Sequence, residues 1–336
     1  MIFEFALDPT LAAQWSDRRE FQRYSGKFGI GTPRALSRVP AKHWRKLVWD
    51  AFDALAREWT GTERQSRQQR LEAILLQSLE AGTARRSGAN DCTWPDIAQR
   101  EHSRRQFHAV LISAGARQFP ASVPVLRDLA FDDDDGLWSP QHGLVPRRPE
   151  AIASALSPLL AFARTLRFVE PHFDPSSERW RKTIEAMLLR AVYRRARDEM
   201  PDVEIHTCVS RGRRLRHLEG QLISDQIEKA QAITHALKGW VPQLPPSLSV
   251  TTYFWAERVG GPEFHDRFLL TDVGGLTFGK GFDATDGTHA ADEVITVLPR
   301  GQFAALCARF SSATADFDGR GNHAGVGQGR SAGRAR

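Results

Sequence analysis

Apolar positions recur at three-and-four spacing in KHWRKLVWDAFDALAREW (residues 42–59), where Trp44, Leu47, Val48, Ala51, Phe52 and Leu55 fall on one helix face. Two further stretches, ERQSRQQRLEAILLQSLEAG (63–82) and REHSRRQFHAVLISAGAR (100–117), read the same way. Residues 1–150 are therefore expected to form a mostly helical N-terminal domain of unassigned role. FDDDDGLWSPQHGLVPRRPE (131–150) has acids, Gly and Pro without periodicity, which marks a loop or linker and sets the boundary at about residue 150. Beyond it the period alternates. LRFVEP, DVEIHTCV, SLSVTTYFWAERV, HDRFLLTDV, GLTFGKGF and EVITVL read as strands, and the segments opening at Ala151, Ser177, Arg213 and Arg300 read as helices. Such alternation predicts an α/β fold, a sheet covered by helices, over residues 151–311. Residues 312–336, rich in Gly, Ser and Arg, are expected to be a disordered tail.

Composition narrows the class of protein. The 336 residues are 41% hydrophobic and 26% charged, as in folded globular chains. No uninterrupted apolar run is long enough to cross a bilayer, and MIFEFALDPT carries Glu4 and Asp8 inside its apolar stretch, unlike a secretory leader. Three widely spaced cysteines give neither a disulfide framework nor a zinc site, so a cytoplasmic location, no metal and no cofactor are expected. The net charge of +6 fits a polyanionic partner. An arginine bias, with only seven lysines among 46 basic residues, also arises from coding-DNA composition alone. The cluster SRGRRLRHLE places Arg211, Arg213, Arg214 and Arg216 together, either as a polyanion track or as an ordinary solvated face.

The candidate chemistry lies in HDRFLLTDVGGLTFGKGFD, residues 265–283. Side chains two apart on a strand share a face, so His265 and Arg267 are expected to project together, with Asp272 closing the apolar run. A histidine beside a guanidinium suits phosphate, since one group attacks phosphorus or moves a proton and the other holds the equatorial oxygens. Gly279 and Gly281 leave room for a bulky anion near backbone N–H groups, and Asp283 follows.

HDRFLLTD followed by GKGFD resembles the single signature of the phospholipase D superfamily. His265, Arg267, Asp272 and Gly279 match its His, Lys, Asp and Gly positions, with Arg267 replacing the usual Lys. Phe282 stands in the register of the Asn, one step before Asp283. The stretch is also similar to the C-terminal phospholipase D-like domain of MIT-domain proteins, a branch known for binding membranes rather than cutting phosphodiesters. The resemblance covers roughly residues 155–311. It implies a phospholipase D-like sheet and a metal-independent phosphodiesterase working through a phosphohistidine, with His265 as nucleophile or acid, Arg267 as phosphate clamp and Asp272 as orienting carboxylate. Gly279, Gly281 and Asp283 would border the phosphate. Because the chain holds one signature where the reaction uses two histidines, the resemblance also implies a homodimer. A nuclease acting on nucleic acid, in prokaryotic defence, is the expected role. The alternative is a non-catalytic module that holds phosphate groups of lipid or nucleic acid. Glu170, at the end of a predicted strand, is a candidate supporting carboxylate or a plain turn residue, and Glu293 either orients a histidine or is a solvated loop acid.

Overall fold

The computed structural model describes residues 1–85, 92–113, 115–116, 118–127, 144–193, 195, 199–209, 219–245, 248–258, 261–284, 292–311, 316–319 and 324–327. The chain divides into two units, Met1–Gln141 and His142–Arg336. Among the described residues no helix is long and apolar enough to cross a membrane.

The first unit corrects the helical expectation. Its centre is a five-stranded parallel sheet in the order β3-β2-β1-β4-β5, built from β1 (Phe3–Leu7), β2 (Arg34–Arg38), β3 (Thr83–Ala84), β4 (Ala109–Ile112) and β5 (Val125–Arg127). The helices α1 (Pro9–Gln14), α2 (Arg18–Tyr24), α3 (Trp44–Leu55), α4 (Gly61–Ala81) and α5 (Trp94–Arg104) connect and cover it. β1 is buried along its whole length, so its side chains do not alternate in polarity as a half-exposed strand would. Glu4 is tolerated inside it because Arg85, itself buried, meets the carboxylate with two nitrogens while Thr83 Oγ1 donates at 2.5 Å. These partners outweigh the burial that pushes Glu4 up, and hold it down at about 2. The helix expected over residues 100–117 ends, as α5, at Arg104, and AVLI beyond it is strand β4.

The second unit is built on an eight-stranded mixed sheet whose main path runs β13-β11-β10-β7-β8-β9-β14, with β15 also pairing β9. Its parallel heart is β7 (Thr165–Val169), β8 (Asp202–Cys208) and β9 (Ser249–Glu257). On one side follow β10 (Arg267–Thr271), antiparallel to β7, then β11 (Gly274–Phe278) and β13 (Ile295–Val297), each antiparallel to the strand before it. On the other side β14 (Phe317–Gly319) and β15 (Ala324–Gly327) both pair with β9. The expected disordered tail is thus partly recruited into the sheet, because Phe317 is an apolar anchor, 1% exposed and packed among Trp255, Phe264 and Phe310. A short ladder joins β6 (Val145–Pro146) to β12 (Asp292–Glu293). α6 (Pro149–Phe162) and α7 (Glu178–Val192) pack on each other and carry Ile152, Leu156, Leu160, Ile184, Met187 and Leu188, all fully buried, and α8 (Glu219–Trp240) and α9 (Arg300–Arg309) are further helices among the described residues. A mixed α/β fold with helices flanking a sheet is therefore present, as the alternating pattern indicates.

Candidate functional site

β7 ends at Val169, and its ladder continues one step as Glu170 N–H donates to the His206 carbonyl at 2.9 Å. The chain then turns, with Phe173 N–H returning to the Glu170 carbonyl. The antiparallel register that pairs Phe268 with Val169 sets Arg267, the first residue of β10, opposite Glu170. Both lie at the edge where the parallel strands end, the edge at which open α/β sheets present their ligand groups.

Glu170 is fully buried. Its Oε1 accepts from His172 N–H at 3.1 Å and its Oε2 from Phe282 N–H at 3.3 Å. Arg267 Nε stands 3.7 Å from Oε1, an ion pair without a hydrogen bond, and finds no acceptor of its own. Burial pushes the Glu170 carboxyl up to about 7, because the two N–H groups and the cations Arg267 and Arg147 do not make up for lost solvation. Gly281 closes against this pair with φ +97°. A Cβ there would lie 2.6 Å from Glu170 Oε2 and 3.2 Å from Arg267 Nε. The glycine thus makes room for the protein's own carboxylate, where the sequence suggested clearance for a bound anion.

The neighbouring half of the site is an ion-pair network. Asp283, nearly buried, is bridged by the guanidinium groups of Arg147 and Arg179. Arg147 also reaches the Lys280 carbonyl at 3.4 Å and lies 3.5 Å from Glu293. Glu293 is fully buried on β12 and accepts from Lys280 N–H at 2.9 Å, with Gly279 beside it. The segment from Gly279 to Asp283 is therefore held by Glu293 at Lys280, by Glu170 at Phe282 and by two arginines at Asp283. Three arginine side chains, Arg147, Arg179 and Arg267, gather around Asp283, Glu293 and Glu170, while Lys280, on the segment itself, turns its ammonium to the Asp292 carbonyl at 3.3 Å. Arg179 and Lys280 are open to solvent.

The sequence-derived residues divide sharply. Arg267, Gly279, Gly281, Asp283, Glu170 and Glu293 come together. His265 precedes β10 instead of lying on it, so the strand alternation that would align it with Arg267 does not apply. Its side chain is 70% exposed, 3.8 Å from Asp266, and Glu293 is engaged with Lys280 instead of orienting a histidine. Asp272 sits in the turn after β10, about five strand residues or roughly 16 Å from Arg267. There it accepts from the N–H groups of Arg164 at 2.8 Å and Thr165 at 3.3 Å, stitching that turn to the start of β7. Phe282, in the place of the Asn, is buried between Phe168 and Phe278 and offers no polar group. His206 is a satisfied core histidine: Trp255 Nε1–H donates to its Nδ1 at 3.0 Å, its Nε2 faces Glu204 at 3.3 Å, and its ring stacks on Tyr253.

Arg147 and Arg179 were not legible as site residues. One lies in the linker-like stretch and the other at the head of a helix, and nothing local announces a partner 136 residues away. Arg211, Arg213, Arg214 and Arg216 lie outside the described residues. Among the described residues, no three His, Cys, Asp or Glu side chains are grouped as metal ligands. No protein-family model, curated protein or solved structure matches the chain.

Proposed function

We propose that the second unit is a phospholipase D-like anion-binding module that recognises phosphate groups of nucleic acid at the edge formed by the end of β7 and the start of β10. The observation that carries this reading is the convergence of Arg147, Arg179 and Arg267 on one glycine-rich segment that itself bears the exposed Lys280 and whose backbone is fixed from three sides. Arginine presents a planar fork that matches phosphate oxygens, and a rigid cationic site loses little entropy when an anion settles. Nucleic acid is preferred to a lipid surface because the chain carries net charge +6 and, among the described residues, exposed large apolar side chains are few. The test is fluorescence anisotropy with a labelled single-stranded decanucleotide, run beside anionic vesicles. Wild-type protein should bind the oligonucleotide with affinity falling steeply in salt, and Arg179→Glu, which reverses an exposed charge, should weaken it about tenfold or more. Equal binding by the variant would defeat the reading, and vesicle binding alone would redirect it to lipid.

A second reading, a metal-independent phosphodiesterase, is favoured by one observation: His265 is open to solvent two residues from Arg267. A solvent-facing imidazole suits attack on phosphorus in a dimer that pairs it with the same residue of a second copy. Sedimentation together with turnover of an oligonucleotide in chelator decides this. A dimer whose turnover vanishes in His265→Ala supports it, and a monomer or unchanged turnover ends it.

A further inference from the structure

Arg267 is poised and under-used. Its Nε lies 3.7 Å from Glu170 Oε1 without a hydrogen bond, and no acceptor takes the Nε proton, while the side chain keeps 19% of its surface in solvent. Glu170 spends its oxygens on the N–H groups of His172 and Phe282 instead. The charged groups facing this carboxyl are Arg267 from β10 and Arg147 from the segment before α6. Asp283 and Glu293 occupy the far side of Arg147, Lys280 lies on the glycine-rich segment, and His172 belongs to Glu170's own turn. An anion on the outer nitrogens of Arg267 would bring a further negative charge close to a carboxylate that water cannot screen. The least costly relief is neutralisation of that carboxylate, since like charges in a desolvated site favour the protonated form.

We propose that Glu170 is the positioning residue of the anion site: it pairs with Arg267 while the site is empty and takes up one proton from solvent when a phosphate group binds. This rests on the phosphate-binding reading above. The exchange is balanced, because the carboxylate gains H⁺ from solvent and becomes a carboxylic acid, no covalent bond to the ligand forms, and Arg267 keeps its charge and pairs with the phosphate in place of the carboxylate. A protonated Glu170 still accepts from Phe282 N–H through its carbonyl oxygen, so the glycine-rich segment keeps its place. Gly281 contributes by leaving the room in which the carboxyl lies close against the backbone. Binding should therefore be linked to pH through one buried group. Where that group is ionised in the free protein, affinity rises by up to about tenfold for each pH unit lowered.

The experiment is calorimetric titration of the full chain with decathymidylate, whose backbone phosphates do not titrate between pH 6 and 9. It is run at pH 8, above the ordinary histidine range, in two buffers of different ionisation enthalpy. Wild-type protein should take up between about half a proton and one proton per binding event, and correspondingly lose about three- to tenfold in affinity between pH 7.5 and 8.5. Glu170→Gln, an isosteric permanent neutral, should still bind, take up no proton and show a flattened pH dependence. The wild-type proton count stands even if that variant folds poorly. Binding without proton uptake, or an uptake that persists in Glu170→Gln, overturns the role of Glu170 and leaves the phosphate reading intact. Absence of binding at every pH overturns both.

Discussion

Gly281→Ala is the sharpest structural perturbation of the site. The added methyl meets two obstacles. The backbone at φ +97° lies in the region that L side chains avoid, which costs on the order of 1–2 kcal/mol. The methyl would also stand 2.6 Å from Glu170 Oε2 and 3.2 Å from Arg267 Nε, closer than van der Waals contact allows. Glu170 is fully buried and has nowhere to retreat, so either Phe282 N–H loses its acceptor, costing about 1–3 kcal/mol, or the segment shifts bodily. The sum is about 2–5 kcal/mol. For a unit of this size, a shift of about 2–4 °C per kcal/mol brings the expected fall in Tm to roughly 4–20 °C. Gly26→Ala is the internal control, because Gly26 has φ +86° but nothing within 4 Å of its added Cβ. It should cost only the dihedral share. Thermal denaturation followed by circular dichroism, with oligonucleotide anisotropy on the same samples, reads both effects. If Gly281→Ala were no worse than Gly26→Ala and bound equally well, the packing of glycine against carboxylate and guanidinium would be refuted.

Other substitutions separate the roles of neighbouring groups. Asp272→Ala removes the acceptor for two backbone N–H groups and should cost about 1–2 kcal/mol in denaturant unfolding while leaving anion binding unchanged. A loss of binding at unchanged stability would restore its assignment as a site residue. The carboxyl of Glu170 has a folded value of about 7 above its ordinary 4.5, so its contribution is fully present below about pH 4.5 and is lost as pH rises through 7. That gap is worth about 3 kcal/mol, and the unfolding midpoint should drift accordingly between pH 5 and 8 in the wild type and less in Glu170→Gln. For Glu204, burial raises the carboxyl but hydrogen bonds from His206 and Arg167 bring it down to about 2, so its stabilisation is present above about pH 4.5 and lost as pH falls towards 2. Acid unfolding monitored by tryptophan fluorescence should be less steep in Glu204→Gln, and an identical acid limb would contradict the pairing.

The C-terminal sheet was legible because its strands carry clear signals. Val, Ile, Thr and aromatic runs are bounded by turns, and β8, β9 and α7 fall where the pattern put them. The first sheet was hidden for a physical reason. A strand such as β2 is buried yet bears Arg34 and Arg38, and β1 buries Glu4, so polarity along the chain does not report exposure. Distant residues, Arg85 and Thr83, make Glu4 tolerable there, and such partners are invisible to local periodicity. The site shows the same division. Its glycines, Glu170 and Arg267 follow from spacing, whereas Arg147 and Arg179 enter through tertiary pairing with Asp283. His265 and Asp272 satisfy the spacing and still fall away from the cluster, because β10 begins after one and ends before the other.

The most direct measurement is an amide and arginine-side-chain NMR titration of the isotopically labelled chain with dimethyl phosphate, a single phosphodiester charge without bases or lipid. Saturable shifts of the Gly281 and Phe282 amides and of the Arg267 Nε–H signal, with little change at Asp272, are the expected result. Unmoved signals at all three positions, or saturable shifts confined to other parts of the chain, would contradict the account.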